Sequence, residues 1–440
     1  MEIKKIVAAS DSFKGSLSSA EVAAAIKAGV HNVFPHCEVL ELSVADGGEG
    51  TVDALVHTLG GTKVTVQVSD PLGRPIDASY GIIPASNDSS ECPTAVIEMS
   101  SASGLPLLTP AERNPLKTST RGTGEMILDA LNRGCRHFLV GIGGSATNDA
   151  GIGMLSALGF RFLNSDGVEV PAVGASLGEI VSFDFSDVVP SVFESTFTVA
   201  CDVDTPFCGP NGAAYVFAPQ KGADDAMVRL LDSGMVSFAE LISRSITDGT
   251  LHNDNSHHKS NHIGNLADVP GTGAAGGLGG GFLAFLNAKL ERGVDMVLDA
   301  IDFDARISGA DLVITGEGKI DFQTNKGKTP YGVMLRASRQ GIPTIALGGS
   351  VDLPASFASP SSELSSEVSS ELSSELSSEL FSEVSSELLS PNKVTEPTFT
   401  GVFPIVAGPV DLEVAMQHEV ASANVCRTVT QIMNVIKYLK

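Results

Sequence analysis

The chain has 440 residues, 42% of them hydrophobic, with 46 glycines, 5% aromatics and no tryptophan. That length and apolar content suit a large buried core and more than one domain. The formal net charge of −24 argues against nucleic acid or an anionic membrane as the main partner. Six cysteines with no C-x-x-C pair form no disulfide framework and fit a reducing compartment.

In chain order, "KIVAAS" reads as a first strand, "DSFKGS" as a turn and "SSAEVAAAIKAGVHNVF" as a helix, with Ser18 or Ser19 and Glu21 placed to start it. The short apolar run of the N-terminus is a strand rather than a signal peptide. No stretch reaches about 18 uninterrupted apolar residues, so no transmembrane helix is expected and the location is cytoplasmic. "CEVLELSV" is a second strand, followed by the turn "ADGGEG" and the helix "GTVDALVHTLG". Strands alternating with helices imply a mostly parallel sheet covered on both faces.

From "KVTVQVSDPLGRPIDASYGII" onward the pattern changes to shorter alternating strands with turn signals. A second α/β domain is therefore expected over residues 66–289, inserted into a Rossmann-like domain formed by 1–65 and 290–440. Helical patterning returns at "GGGFLAFLNA" and "GVDMVLDAI". The strand "ADLVITGEG", the helix "GVMLRASRQG" and the strand "PTIALGGS" follow, and the last helix spans "HEVASANVCRTVTQIMNVIKYL".

Two segments read as accessory. Residues 361–388 are seven four-residue units of the SSEL type, within a low-complexity insertion over 361–390. A period of 4 makes any apolar stripe drift by about 40° per unit around a helix, and its glutamates would face one another at i,i+4. The polar run "HNDNSHHKSNH", with His252, His257, His258 and His262, reads as a solvated loop rather than a metal site.

The chemistry-bearing motifs share one theme: carboxylates in glycine turns at the ends of strands. Asp46 and Glu49 flank Gly47-Gly48. Asp202 and Asp204 follow "FTVAC". Glu317, Lys319 and Asp321 lie in "VITGEGKID", and Asp11, Lys14 and Ser16 in "DSFKGS". Glycine lets another group approach the backbone closely, and ligands of parallel sheets sit beyond the C-terminal strand ends. Four such turns beside anion-cradling glycine loops point to a magnesium-phosphate site.

The glycine loops themselves are ambiguous. Gly141, Gly143 and Ala146 make a G-x-G-x-x-A after the strand "RHFLV", with Asp166 further on, as in a dinucleotide fingerprint. Gly271, Gly273 and Gly276 make a second match without a preceding strand. A nucleotide-cofactor oxidoreductase using the Gly141–Ala146 loop is thus the alternative reading. "TNKGKT" ends like a Walker A loop, but Phe322 occupies the place of its first glycine.

The stretches "DSFKGSLS", "ADGGEGTVDAL", "GTGE", "GIGGSATNDAGIGML", "ACDVDTPFCGPNGAA", "FAPQKGA", "GAAGGLG" and "VITGEGKIDFQTNKGKTPYGV" together resemble the bacterial glycerate kinase family, the glycine-rich class without a P-loop. They run in family order over residues 3–351 and resume at 400–439. The resemblance implies ATP- and Mg²⁺-dependent phosphorylation of D-glycerate, with the 2-phosphoglycerate product favoured over the 3-phosphoglycerate. It also implies two α/β domains with the active site in the cleft between them. A small-molecule substrate follows, with neither nucleic acid nor membrane as partner, and a homodimer is allowed.

Within that resemblance, Asp46 or Asp202 is the carboxylate expected nearest the attacking hydroxyl. Lys14 joins them as the third catalytic candidate. Glu317 and Asp321 are the expected metal ligands. Lys14 and Lys319 would neutralise phosphate, beside nucleotide-cradling Gly143, Gly144, Ser145, Gly273 and Gly276. Ser12 and Glu49 would touch substrate. Arg74 and Arg113 would grip its carboxylate through bidentate bonds, ordinary surface ion pairing being the competing role for each.

Overall fold

The computed structural model describes residues 3–85, 92–248, 265–321, 324, 328–352, 398–406, 408 and 410–439. The Ser/Glu repeat and the histidine-rich run lie outside the described residues. The strands are β1 (Lys5–Ser10), β2 (Glu38–Ser43), β3 (Thr62–Ser69), β4 (Pro75–Ile83), β5 (Thr94–Glu98), β6 (His137–Gly141) and β7 (Arg161–Leu163). They continue as β8 (Ser182–Asp184), β9 (Thr196–Ala200), β10 (Lys289–Glu291), β11 (Leu312–Asp321), β12 (Thr344–Asp352) and β13 (Gly401–Pro404).

Two sheets dominate. The first has the order β13-β12-β11-β1-β2 with every neighbouring pair parallel, so both ends of the chain build it. β1 lies inside the sheet, between β11 and β2, and is almost fully buried, which explains its unbroken apolar run "IVAA". The second has the order β10-β9-β6-β5-β4-β3, parallel from β10 to β5 and antiparallel through β4 and β3. Its strands begin at Thr62 and end at Glu291. The fold is therefore α/β with mostly parallel strands, as the alternation of strand and helix patterns predicts.

Helices cover both faces of the first sheet. On one side Ser19–His31 packs against the terminal helix His418–Leu439, around Ile6, Val22, Ile26, Val425 and Val429. Their crossing is close at Gly29, where a Cβ would lie 2.6 Å from the Cys426 carbonyl oxygen. On the other side Thr51–Leu59, Gly293–Ala300 and Thr329–Arg339 pack around Val7, Leu42, Val297 and Val333. The larger second core surrounds the other sheet. No described helix is long and apolar enough to cross a membrane.

What matters for chemistry is how the sheets meet. A Cβ on Gly293 would lie 1.9 Å from the Asp46 carbonyl oxygen, and one on Gly141 would lie 2.2 Å from that of Gly47. The turn after β2 is thus wedged directly against the end of β6 and the start of the helix Gly293–Ala300. The C-terminal ends of β1 and β2 face those of β5, β6 and β9 across a cleft.

Candidate active site

Two cavities occupy this cleft. One, about 750 Å³, is lined by Asp46–Glu49 from the first sheet, and by Glu98, Ile142–Ser145, Asp202 and Lys221 from the second. The other, about 940 Å³, is lined by Asp11, Ser12, Ser16–Ala20, Asp53 and His57. Lys14, Glu49 and Glu98 line both, so the two cavities adjoin at these side chains.

The turn Asp46–Glu49 owes its shape to its glycines. Gly47 has φ +83°, and a Cβ there would sit 2.6 Å from both Ala200 Cβ and Gly293 Cα. The glycine is required twice over, by conformation and by contact. The Gly48 amide donates to Asp46 Oδ1 at 3.0 Å, which holds the carboxylate at the mouth of the turn. Asp202 follows β9 and accepts from the Gly293 amide at 2.9 Å, at the N-terminus of a helix. Burial raises the pKa of Asp202, the Gly293 N–H opposes this, and the Asp46 charge raises it further. The two aspartates therefore sense each other across the junction of the sheets.

Asp11 belongs to the same electrostatic group. Its side chain accepts from the Ser12 amide at 2.6 Å and from Thr329 Oγ1 at 2.9 Å. Burial, and then Asp46, push its pKa up to about 6, against the lowering effect of those two bonds and Lys14. Glu98 ends β5 and accepts from the Val52 amide at 2.8 Å, at the start of the helix Thr51–Leu59. Its pKa is raised mainly by burial.

Beside the Asp46–Glu49 turn, and lining the same cavity, lies the loop after β6. Nothing covers Gly143 within van der Waals reach except Gly48 Cα at 4.0 Å, and Gly144, at φ +74°, meets only Ser100 Cβ at 3.5 Å. The backbone is thus bare toward the cavity. Behind it Lys221, 1% exposed, donates to Ser145 Oγ at 2.7 Å and to the Thr147 carbonyl at 2.6 Å.

The cleft brings together Asp46, Asp202, Lys14, Ser12, Glu49, Gly143, Gly144 and Ser145 from the residues expected on sequence grounds. Others lie elsewhere. Arg74 Nε bonds Asp70 Oδ2 at 2.5 Å and its Nη1 bonds Glu112 at 2.7 Å, so its fork is already occupied. Arg113 lines neither cavity, and its buried Nε has no partner among the described residues. Glu317 accepts from Thr324 Oγ1 at 2.5 Å and pairs with Lys328 at 3.3 Å; Lys319 pairs with Asp321 at 3.2 Å. These three cluster at the end of β11, outside both cavity walls.

The second glycine loop does not form an N-terminal cradle. Its residues Ala275, Gly276 and Gly277 are left-handed, and a Cβ on Gly276 would lie 2.2 Å from the Thr147 carbonyl. A Cβ on Gly273 would meet the Pro206 carbonyl at 2.1 Å. Those two glycines exist for backbone-on-backbone packing, and their neighbours Ala274 and Ala275 reach the cavity instead.

The dinucleotide reading fails on geometry. That fingerprint needs a helix to open within the glycine motif, whereas the helix here starts at Ile152, beyond Ala146. Asp166 sits in an exposed turn after β7, which pairs antiparallel with β8 in a separate small sheet. It is not at the end of the neighbouring parallel strand, where a ribose would lie.

Sequence reasoning missed Glu98 and Lys221 as cavity residues and left Asp11 without a role. Lys221 stands inside "FAPQKGA", but a single lysine beside a glycine gives no sign of burial. Glu98 ends an apolar strand, and that signal was readable.

The acids lie along the cavity wall rather than in a cage: among the described residues no three His, Cys, Asp or Glu side chains could hold a metal ion. Four cavity carboxylates (Asp46, Glu49, Glu98, Asp202) against Lys14 and Lys221 still leave an excess of negative charge. This suits Mg²⁺, which binds through one or two carboxylates together with phosphate oxygens and water.

Paired aspartates, a bare amide loop and two lysines in one cavity define an α/β enzyme built to handle small anions. The profile of the glycerate kinase family matches residues 6–388. The chain is 45% identical to a glycerate kinase of Bacillus cereus over 347 residues, 79% of this chain and 85% of that one. It is 43% identical to glycerate 2-kinase of Escherichia coli over the same shares. A crystal structure assigned as glycerate kinase 2 from Salmonella typhimurium LT2 superposes with a TM-score of 0.79 at 38% identity, covering 99% of both chains. The chain belongs to the glycerate kinase family, and it is an enzyme of that family.

Proposed function

We propose that the enzyme transfers the γ-phosphoryl group of ATP to D-glycerate, giving 2-phosphoglycerate and ADP. The observation that carries this reading is that Asp46 and Asp202, both set against Gly293, share one cavity with the uncovered Gly143–Ser145 backbone. The Escherichia coli relative, a glycerate 2-kinase, supports the choice of O2. The family membership and the joint contribution of both sheets support a division into two domains, 1–65 with 290–440 and 66–289.

In this mechanism the hydroxyl of the acceptor approaches Asp46 or Asp202, and the nearer carboxylate orients it and takes its proton as the O–P bond forms. Ionised Asp46 keeps Asp202 more basic, which favours that proton transfer. The Gly143–Ser145 amides and Lys14 receive anionic oxygens, aided by close approach to glycine backbone. Ser12 lies on the adjoining cavity wall, where the remainder of the nucleotide fits. Mg²⁺, when bound, neutralises phosphate charge, and Glu49, facing both cavities, is the carboxylate placed to hold it. Phosphoryl transfer asks mainly for positioning and charge neutralisation, and this cleft supplies both. A cytoplasmic location belongs to the same reading, since both substrates are cytoplasmic metabolites.

The test is ADP release from MgATP with D-glycerate, the product's phosphate position being read by ³¹P and ¹H NMR. Asp46→Asn is expected to lower kcat by about 10²-fold or more while the fold is retained. Turnover of Asp46→Asn near the wild-type rate removes Asp46 from the acid–base role and leaves Asp202.

A further inference from the structure

Lys221 is the most enclosed cation of the cleft, and nothing in the mechanism above uses it. It ends the short 3₁₀ turn Pro219–Lys221, closed by Gly222 at φ +95°. Its side chain is 1% exposed yet lines the cavity that holds Asp46 and Asp202. An ammonium has three donors. Two are used, by Ser145 Oγ and the Thr147 carbonyl, and neither acceptor carries a formal charge. No carboxylate lies within ion-pair distance among the described residues. The acid that faces it, Asp149, is itself engaged by Thr120 through N–H and Oγ1, both at 2.8 Å, and by the Gly151 and Gly153 amides at 3.2 Å.

Burying a charge without a direct counter-charge is unfavourable by several kcal/mol. The protein nevertheless places this one behind a bare glycine loop, in the lining of the cavity, with one of its three donors not taken by either bond. We infer that the Lys221 ammonium grips the carboxylate of the hydroxy-acid acceptor. The assignment rests on the phosphotransfer reading above. Lys221 shares its cavity with both candidate bases, and in a 2-hydroxy acid the carboxylate is bonded to the carbon that carries the attacking hydroxyl. A hydroxyl held at Asp46 or Asp202 therefore brings the carboxylate with it. Lys14, which faces both cavities, is left for the phosphates.

The environment adds a pH signature. Burial pushes the Lys221 pKa down to about 7, and Asp149 only partly opposes this. Around it stand Asp149 from the loop after β6 and Arg113 from the loop whose backbone abuts Gly222, and Lys14, Asp46, Glu49, Glu98 and Asp202 line the same cavity. The free enzyme thus holds Lys221 partly neutral at neutral pH, and an arriving carboxylate favours the charged form. Acceptor binding takes up a proton.

The experiment compares wild type, Lys221→Met and Lys221→Arg in steady-state kinetics from pH 6 to 9. Calorimetric titration of the wild type with D-glycerate, in buffers of different ionisation enthalpy, accompanies it. Lys221→Met should raise the KM for D-glycerate by about 10- to 100-fold, the range for a bond to a charged group, and leave the KM for MgATP within about two-fold. Lys221→Arg should recover part of the loss. In the wild type, kcat/KM for D-glycerate should fall as pH rises above about 7, and Lys221→Arg should abolish that limb because the guanidinium stays charged. Calorimetry should show net proton uptake near pH 7.5, a readout that needs no variant to fold. A rise in the MgATP KM alone assigns Lys221 to a phosphate and overturns the proposal, as does an unchanged KM for glycerate with no proton uptake. A wild type that turns over D-glycerate while Lys221→Met behaves normally overturns the lysine assignment alone. A wild type inert toward D-glycerate overturns the functional reading and this assignment with it.

Discussion

At the residue scale the cleft is held in an electrostatically unfavourable state, and Asp11 shows it best. Its pKa in the folded protein, about 6, lies above the ordinary 3.8. Between those values the folded state binds more protons than the unfolded state, so stability falls as pH rises through the window. Above pH 6 the ionised Asp11 destabilises by up to about 3 kcal/mol, and below about pH 3.8 the effect is gone. Asp11→Asn keeps the size and one acceptor. It should therefore be more stable than wild type by up to about 3 kcal/mol at pH 7 to 8. The difference should vanish near pH 4, as measured by urea unfolding at several pH values. No change across this range would mean that Asp11 is already neutral or solvated. Asp46, Asp202 and Lys14 were legible in the sequence because they follow the ends of strands, Asp46 and Lys14 directly beside a glycine. Lys221 was not, because burial of a lysine arises from the packing of distant loops and leaves no local trace. Arg74 misled for a related reason: its partner Glu112 lies in a separate loop.

At the scale of elements, turns rather than helices carry the site. The helix Gly293–Ala300 begins against the Asp46–Gly47 backbone, and the same Gly293 amide holds Asp202. A methyl group there cannot be accommodated without moving one of the two aspartates. Gly293→Ala should destabilise the protein by about 1–3 kcal/mol and lower kcat, the two effects appearing together. Thermal unfolding and initial rates on one preparation check this; normal turnover in a destabilised variant would separate the junction from catalysis. Element existence was readable throughout: the strand "KIVAAS" is β1, and the terminal helix spans His418–Leu439 as its periodicity predicts. The S-x-x-E box was also present in the sequence. Ser18 and Glu21 cap the helix Ser19–His31 reciprocally. What sequence periodicity could not show was the conformation of glycine-rich loops, where no side-chain pattern exists. The loop Gly271–Gly277 looks like a phosphate cradle on paper, yet its glycines serve contact with the Thr147 and Pro206 backbones.

At the scale of the whole molecule, both sheets contribute to each cavity, so a bound ligand ties them together. Saturating MgATP analogue and D-glycerate should each raise the free energy of unfolding, by about 2.7 kcal/mol at a hundredfold excess over Kd. Denaturant melts with and without each ligand measure it, and a ligand that leaves the midpoint unmoved is not held in the cleft. The mixed composition of the first sheet was visible in sequence order, since strand-helix alternation breaks near residue 65 and resumes near 290. The facing of the two sets of strand ends was not visible. It depends on which glycines allow backbones to touch, and that information lies in three-dimensional contacts alone.

The interior place of β1, between strands from the two ends of the chain, bears on how the chain is made. Ile6 pairs with Val39 on one side and with Leu312 on the other. β1 leaves the ribosome long before β11 and must therefore wait, one edge open, until about 300 further residues have been synthesised. Long-range parallel pairing is slow to form, and exposed strand edges are prone to join other chains. In the meantime the intervening strands β3 to β10 can complete their own sheet. Expression yield should thus depend on translation speed and chaperone supply more steeply than the stability of the finished protein would suggest.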